Sequence, residues 1–304
     1  MSESPSPGIT RSGFVAVLGA PNVGKSTLVN RLVGAKVSIV SPKVQTTRTR
    51  ITGIAVRGAT QIVFVDLPGV FAPRRRLDRA MVDAAWRGAA DADVVLLVID
   101  ATRGLDDDSE RIIAGLVERK LEAVLVINKI DQVKRTALLG LAADLNARAT
   151  FAATFMISAL TGDGTAELMQ YLESRMPEGP WLYPEDQLTD LPERLLAAEI
   201  TREQIFMQLH QELPYSVAVE TEKWEDFADG SVRVDQVIYV QREGQRKIVI
   251  GEKGSRIKAI GAAARAELAR LLGRKVHLFL HVKVAPDWSE KRAFYRDWGL
   301  EYDV

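Results

Sequence analysis

Gly19-Ala20-Pro21-Asn22-Val23-Gly24-Lys25-Ser26-Thr27 spaces its glycines, lysine and hydroxyl as Gly-x-x-x-x-Gly-Lys-Ser, a pattern suited to phosphate. Glycines let backbone amides wrap phosphate oxygens, and the start of a following helix adds partial positive charge. Lys25 would neutralise β- and γ-phosphate charge, and the Ser26 hydroxyl would ligate Mg²⁺. Downstream, Asp66-Leu67-Pro68-Gly69 closes the apolar run Ile62–Val65. An Asp at the carboxyl end of a strand can hold Mg²⁺, directly or through water, and the Gly69 N–H can face a γ-phosphate. Asn128-Lys129-Ile130-Asp131 closes another such run, Val124–Ile127. Ionised Asp131 only accepts hydrogen bonds, which suits the N1–H and N2–H₂ donors of guanine and meets an acceptor at N1 of adenine. The nucleotide so predicted is GTP. Ser158-Ala159-Leu160, after the run Phe155–Ile157, would set the Ala159 amide near guanine O6, although that tripeptide alone carries no weight.

Such groups converge only if strands and helices bring them to one edge. Runs of strand length recur at Phe14–Leu18, Ile62–Val65, Val94–Ile99, Val124–Ile127 and Phe155–Ile157, with helix-compatible segments between most of them. That alternation predicts an α/β domain with a mainly parallel sheet. Met176-Pro177-Glu178-Gly179-Pro180-Trp181-Leu182-Tyr183-Pro184 precludes a helix and marks a boundary. The chain of 304 residues has room for two domains. Its division is expected as a disordered Ser/Pro-rich tail over 1–12, a nucleotide domain over 13–176, a linker over 177–192, an α+β domain over 193–285 and a tail over 286–304. With no cysteine there is neither a disulfide framework nor a thiolate site. No apolar run reaches the ~18 residues of a membrane span and no signal peptide opens the chain, so a cytoplasmic protein is expected.

The order of these motifs resembles the Era family of bacterial P-loop GTPases, within the translation-factor class. The likeness extends to Gln45-Thr46-Thr47-Arg48, Thr189-Asp190-Leu191-Pro192-Glu193-Arg194, Glu212-Leu213-Pro214-Tyr215-Ser216-Val217 and Val249-Ile250-Gly251-Glu252-Lys253-Gly254, and covers nearly everything from Gly13 to Trp288. By that resemblance Thr47 is the switch threonine that joins Ser26 and Asp66 at Mg²⁺. The resemblance also reaches GTPases in which a P-loop asparagine, here Asn22, helps hold K⁺ against the phosphates; a turn-stabilising role for Asn22 stands beside it. Where Ras-like enzymes orient water with a glutamine after the Asp-x-x-Gly, this chain has Val70 and Phe71, neither able to hydrogen-bond water. Hydrolysis of GTP to GDP is therefore expected to be slow without K⁺, RNA or ribosomal stimulation. Arg74-Arg75-Arg76 could supply a cationic finger in cis, or be a solvated or RNA-bound basic run.

A formal net charge of +0 conceals an asymmetry. Residues 186–230 hold three basic against eleven acidic residues, a net of −8, whereas 231–285 hold twelve against four, a net of +8. The basic stretch contains Val249-Ile250-Gly251-Glu252-Lys253-Gly254-Ser255-Arg256-Ile257-Lys258, which matches the KH pattern of a Gly-x-x-Gly turn clamping about four nucleotides of backbone. Arg246, Lys247, Lys253, Arg256 and Lys258 flank Gly251, Glu252 and Gly254, which favours RNA over an ordinary turn. Composition alone makes 247–250 a strand; the family makes it a short helix in a type II order of helix, strand, strand, Gly-x-x-Gly, helix, strand. His277 and His281 stand ~13 Å apart along a strand and cannot share one metal ion. Trp288, Phe294, Tyr295 and Trp298 are expected to pack on the domain, with base stacking as the alternative.

The resemblance implies a monomeric GTP-hydrolysing switch that binds single-stranded 16S ribosomal RNA near its 3′ end and assists 16S processing and 30S subunit biogenesis. Family members also associate peripherally with the inner face of the cell membrane. Two rival readings fit the same residues, a signalling GTPase with a protein or membrane effector and an RNA binder with a catalytically silent nucleotide domain.

Overall fold

The first strand, β1 (Arg11–Gly19), sits mid-sheet, and β2 (Ile51–Arg57), β3 (Thr60–Asp66), β4 (Val94–Asp100), β5 (Val124–Asn128) and β6 (Thr154–Met156) complete the order β2-β3-β1-β4-β5-β6. The computed structural model describes residues 9–41, 47–209 and 216–304. The remainder of the chain, which includes Gln45-Thr46, Glu212–Tyr215 and the first eight positions of the expected tail, lies outside the described residues.

Every pair in this sheet is parallel except β2–β3. The runs Val-Val-Leu-Leu-Val-Ile-Asp of β4 and Val-Leu-Val-Ile-Asn of β5 are almost wholly buried, as strands covered on both faces must be. Helices α1 (Lys25–Val33), α2 (Arg76–Ala90), α3 (Asp107–Arg119), α4 (Arg135–Arg148) and α5 (Thr165–Arg175) supply the covering. Because β3 and β4 flank β1 on opposite sides, the sheet order reverses at β1, and the crevice beyond the strand carboxyl ends there is where open α/β sheets bind ligands.

The second sheet is β7 (Val217–Asp226), β8 (Val232–Val240) and β9 (Val276–Val284), backed by α6 (Glu193–Gln208), α7 (Glu243–Ile250) and α8 (Ser255–Leu272). The expected order of helix, strand, strand, Gly-x-x-Gly, helix, strand is present, with α7 leading into the glycine turn. Along α8, Ile260, Ala264 and Leu268 are fully buried at four-residue spacing, giving one apolar stripe. Residues 247–250 are helical, as the family implies and composition does not. Val249 is buried while Ile248 is 47% exposed, and the Gln245 side chain caps the helix start by accepting from Gln241 N and Arg242 N at 2.8 and 3.0 Å.

Four expected boundaries shift. Arg11 and Ser12, assigned to the tail, already belong to β1. The expected linker is tied to the first sheet: Ser12 N donates to Pro177 O at 3.1 Å, Leu182 N and Tyr183 N donate to Gln61 Oε1 at 2.8 and 3.0 Å, and Ile54 N donates to Leu188 O at 2.8 Å. Proline rules out helix here but leaves the carbonyls free to accept, so the segment packs. The chain divides into one unit of the described residues up to Ser38 with Thr47–Asp190 and Trp298–Val304, and another containing Leu191–Asp297 and the segment that begins at Ile39. Ile39 is buried in the second unit's core, and Val40 N donates to Glu203 Oε1 at 2.8 Å. The expected C-terminal tail is therefore not one element. Trp288, Phe294 and Tyr295 are buried in the second unit, where Trp288 Nε1 donates to Ser216 O at 3.1 Å, so packing is their role. Trp298–Val304 joins the first unit, where the Arg76 guanidinium lies 4.5 Å from the Tyr302 ring centroid and Thr49 Oγ1 donates to Trp298 O at 2.9 Å.

Candidate functional site

Between β1 and α1 the loop Gly19–Gly24 turns its carbonyls onto donors one after another. Lys25 Nζ donates to Gly19 O and Ala20 O at 3.1 and 2.9 Å, Arg103 Nη1 to Pro21 O at 3.1 Å, and Lys129 Nζ to Asn22 O at 2.8 Å. Asn128 Nδ2 holds Val23 O at 2.8 Å, and Leu28 N holds Gly24 O at 2.9 Å. Gly24 is a glycine for two reasons: its φ of 100° suits no L side chain, and a Cβ would run into the Asn128 amide nitrogen. Asn22, half-buried, also has positive φ, at 65°. Lys25, Ser26 and Thr27 open α1, placing its N-terminal amides behind the loop.

Ser26, Thr47 and Asp66, expected as Mg²⁺ ligands, lie together. Ser26 Oγ donates to Asp66 Oδ2 at 2.6 Å and stands 3.0 Å from Thr47 Oγ1. Ser38, which sequence reasoning missed, donates its hydroxyl to the same Oδ2 at 2.6 Å. Asp66 Oδ1 is buried without a hydrogen-bond partner, so this hard-oxygen cluster keeps an open acceptor that a divalent cation would satisfy. Burial raises the Asp66 pKa, against the lowering by Ser26, Ser38, Lys25 and Thr47. Burial likewise lowers Lys25 to about 8, against the pull of the Asp66 charge. In both groups the cost of burying a charge outweighs their mutual attraction. Leu67, Pro68, Gly69 and Val70 are buried, and Val70 N donates to Gly19 O at 3.1 Å.

Asn128 links three loops, since its Oδ1 also accepts from Ala159 N at 2.9 Å. The Ala159 amide expected at guanine O6 is thus engaged by Asn128 here. Arg31 of α1 donates to Ala159 O at 3.1 Å and to Leu160 O, and Ser158 is buried. Asp131 is exposed in a short 3₁₀ turn with Ile130, beside Lys129 at φ 66°. Lys129 also pairs with Asp100 at 2.5 Å. Burial opposes the Asp100 carboxylate, yet Lys129 and Thr102 outweigh it and hold its pKa low. Sequence reasoning missed Asp100 and Arg103 as well; the one signal for Asp100 is its place as an acid closing β4, and Ser38 and Arg103 carry none. Arg74 and Arg75 are exposed at the start of α2, and their amides donate to Asp78 Oδ2 at 3.1 and 3.0 Å.

The basic loop of the second unit joins α7 to α8. Gly251 and Gly254 have φ of 73° and 76°, and Lys253 between them has φ of 49°. A Cβ on Gly251 would meet Arg256 Cβ at 2.7 Å, whereas one on Gly254 would meet nothing within 4 Å, so the loop is tight inside and open outside. Lys247, Glu252, Lys253, Arg256 and Lys258 are exposed around it, and Arg246 pairs with Glu243 at 2.9 Å.

Family models described as "50S ribosome-binding GTPase" and "KH domain" match residues 14–129 and 212–289. GTPase Era of Rhizobium meliloti is 61% identical over 293 residues, covering 96% of this chain and 94% of its own. GTPase Era of Dinoroseobacter shibae is 58% identical over 305 residues, covering 99% and 98%. Two solved structures, each 40% identical and covering 97% of this chain and 100% of their own, superpose with TM-scores of 0.91 and 0.90. The first is Era in complex with MgGDPNP and nucleotides 1506–1542 of 16S ribosomal RNA. The second is a variant of Aquifex aeolicus Era bound to GDP.AlF4-.

Proposed function

The chain belongs to the Era family of GTPases, and from that premise we propose that its GTPase unit switches a KH unit that grips single-stranded 16S ribosomal RNA near the 3′ end during maturation of the 30S subunit. The observation that carries this is the presence, in one chain, of a phosphate cradle with an open buried carboxylate oxygen and of a two-glycine turn fringed by exposed cations. That the relative bound to 16S RNA aligns over 97% of this chain supports carrying its partner across. Residence in the cytoplasm accompanies the reading. Among the described residues no helix is long and apolar enough to cross a membrane.

In this reading the amides after Pro21, the N-terminus of α1 and the Lys25 ammonium bind the β- and γ-phosphates. Ser26, Thr47 and Asp66 would hold Mg²⁺, which when bound screens phosphate charge and stabilises the charge that develops on hydrolysis. Asp131 accepts from guanine N1–H and N2–H₂, while Asn128 and Lys129 brace the base loop against the P-loop. Val70 is 1% exposed and has no group to orient water, so rate comes from positioning and electrostatics, and stimulation by K⁺ near Asn22 or by RNA is part of the proposal.

On the RNA side, the open face of Gly254 admits a phosphate to the backbone amides, and Lys247, Lys253 and Lys258 attract it. Gly254→Asp would put a charged side chain there, at a φ that L residues resist. Anisotropy with a labelled single strand from the 16S 3′ end tests this. Gly254→Asp should abolish RNA binding while GDP binding persists, and Lys253→Ala should only lower the salt slope, by about 0.7. RNA affinity unaltered by Gly254→Asp would remove the KH turn from the interface and favour a signalling role.

A further inference from the structure

In a trans peptide the C=O and N–H point to opposite sides, so a donor fixed on one carbonyl aims the next residue's N–H away from it. Along the P-loop, Asn128 on Val23 O aims the Gly24 amide, Lys129 on Asn22 O aims the Val23 amide, and Arg103 on Pro21 O aims the Asn22 amide. The first two donors belong to the Asn-Lys-x-Asp motif. Arg103 belongs to none; it lies in the loop between β4 and α3.

The peptide that Arg103 holds is the one in most need of it. Pro21 has no N–H, so the preceding peptide contributes no donor and Asn22 supplies the next amide of the turn. Asn22 sits at φ 65°, a region asparagine tolerates at some cost. Arg103 is itself fixed: its Nη2 stands 2.5 Å from Asp106 Oδ2. Asp106 in turn caps α3, accepting from Ser109 N at 2.8 Å and Ser109 Oγ at 2.7 Å. A guanidinium on a carbonyl also polarises the peptide, which strengthens the N–H on its far side as a donor to anionic oxygen.

We propose that Arg103 is a positioning residue for nucleotide binding: steadied by Asp106, it grips the Pro21 carbonyl and aims the Asn22 amide at the phosphates. This rests on reading Gly19–Thr27 as the phosphate cradle. Because Arg103 acts through the loop and not through the γ-phosphate alone, GDP feels it as well as GTP. Lysine at 103 keeps a charged donor for Pro21 O but not the second arm that meets Asp106.

The test is GDP release from the full chain, followed by stopped-flow with a fluorescent GDP, alongside the melting temperature of the nucleotide-free protein. Arg103→Ala should speed release about tenfold, as expected for one charge-assisted hydrogen bond. Arg103→Lys should come back to within about threefold of the parent, with the nucleotide-free melting temperature the same in all three. Release equal to the parent's, an equal defect in the lysine and alanine variants, or a fall in melting temperature that tracks the defect would each overturn the positioning role. Failure of the parent itself to hold GDP would instead overturn the reading of the cradle.

Discussion

Nucleotide affinity should fall as pH rises through the Lys25 titration. Desolvation holds this lysine at about 8 in the ligand-free fold, well below its ordinary 10.5, because burial among the loop carbonyls outweighs attraction to Asp66. Anionic phosphates laid against the ammonium favour its charged form, so binding restores the pKa towards the ordinary value and takes up a proton wherever the free protein has lost one. A pKa that rises on binding means affinity is full below the lower value and is lost above it. With about 8 before binding and 10.5 after, the ratio of charged fractions predicts a Kd for GDP about fourfold weaker at pH ~8.5 than at pH ~7, roughly 0.8 kcal/mol. Fluorescence titration at constant ionic strength reads this directly, and calorimetry in buffers of different ionisation enthalpy should show about half a proton taken up at pH ~8. Lys25→Arg, whose guanidinium stays protonated throughout, should bind with its own affinity but without the slope. A Kd that is flat over that interval in the parent, or a slope that survives in Lys25→Arg, refutes the account of a desolvated lysine awaiting phosphate.

Asp131→Asn replaces an acceptor by a donor facing guanine's donors; GTP affinity should drop by as much as ~10⁴ and xanthosine triphosphate should bind in its place, as competition titrations would show. Multiple-turnover phosphate release should run faster in KCl than in NaCl at equal ionic strength, and Asn22→Ala should erase the difference. The returning segment Trp298–Val304 should contribute to the first unit's stability: a double-mutant cycle of Arg76→Ala and Tyr302→Ala, read by denaturant unfolding, should give a coupling of about 0.5–1 kcal/mol for the guanidinium 4.5 Å from the ring. Zero coupling there would mean that the ring contact adds nothing to the Thr49 bond on Trp298 O and the burial of Trp298 and Leu300.

The elements legible in the sequence were those whose burial is periodic or complete. β4 and β5 read as strands because unbroken Val/Leu/Ile runs fit only a doubly covered sheet. β9 read as a strand because Val276, Leu278, Leu280, Val282 and Val284 alternate with polar or exposed positions. β2 escaped because Ile-Thr-Gly-Ile-Ala-Val-Arg mixes small and polar residues, and its place at the sheet edge is fixed by antiparallel pairing with β3, not by its own pattern. Helix α7 shows the reverse failure. Lys-Ile-Val-Ile has the composition of a strand, yet Gln245 capping the helix start and the single buried Val249 decide for helix.

The same distinction runs through the site. Lys25, Ser26, Asp66 and Asp131 announce themselves because the role proposed for each runs through a side chain whose chemistry must match the ligand, and such matching restricts residue type and spacing. The groups that hold the loop act on its carbonyls, which every residue possesses. Nothing in Gly19-Ala20-Pro21-Asn22-Val23-Gly24 says which donor will reach Pro21 O, and Arg103, eighty-two positions away in sequence, could be replaced by any cation the fold brought to the same point. Ser38 is similar, one hydroxyl among many until Asn30 Oδ1 takes the Val37 and Ser38 amides at 2.9 Å each and turns that serine onto Asp66. Residues that meet the ligand are therefore constrained in identity, and residues that aim the backbone are constrained in place. In the proposed reading the P-loop binds phosphate mainly with amides, so the second kind should set its affinity as strongly as the first, and Arg103 and Lys25 measure the two contributions separately.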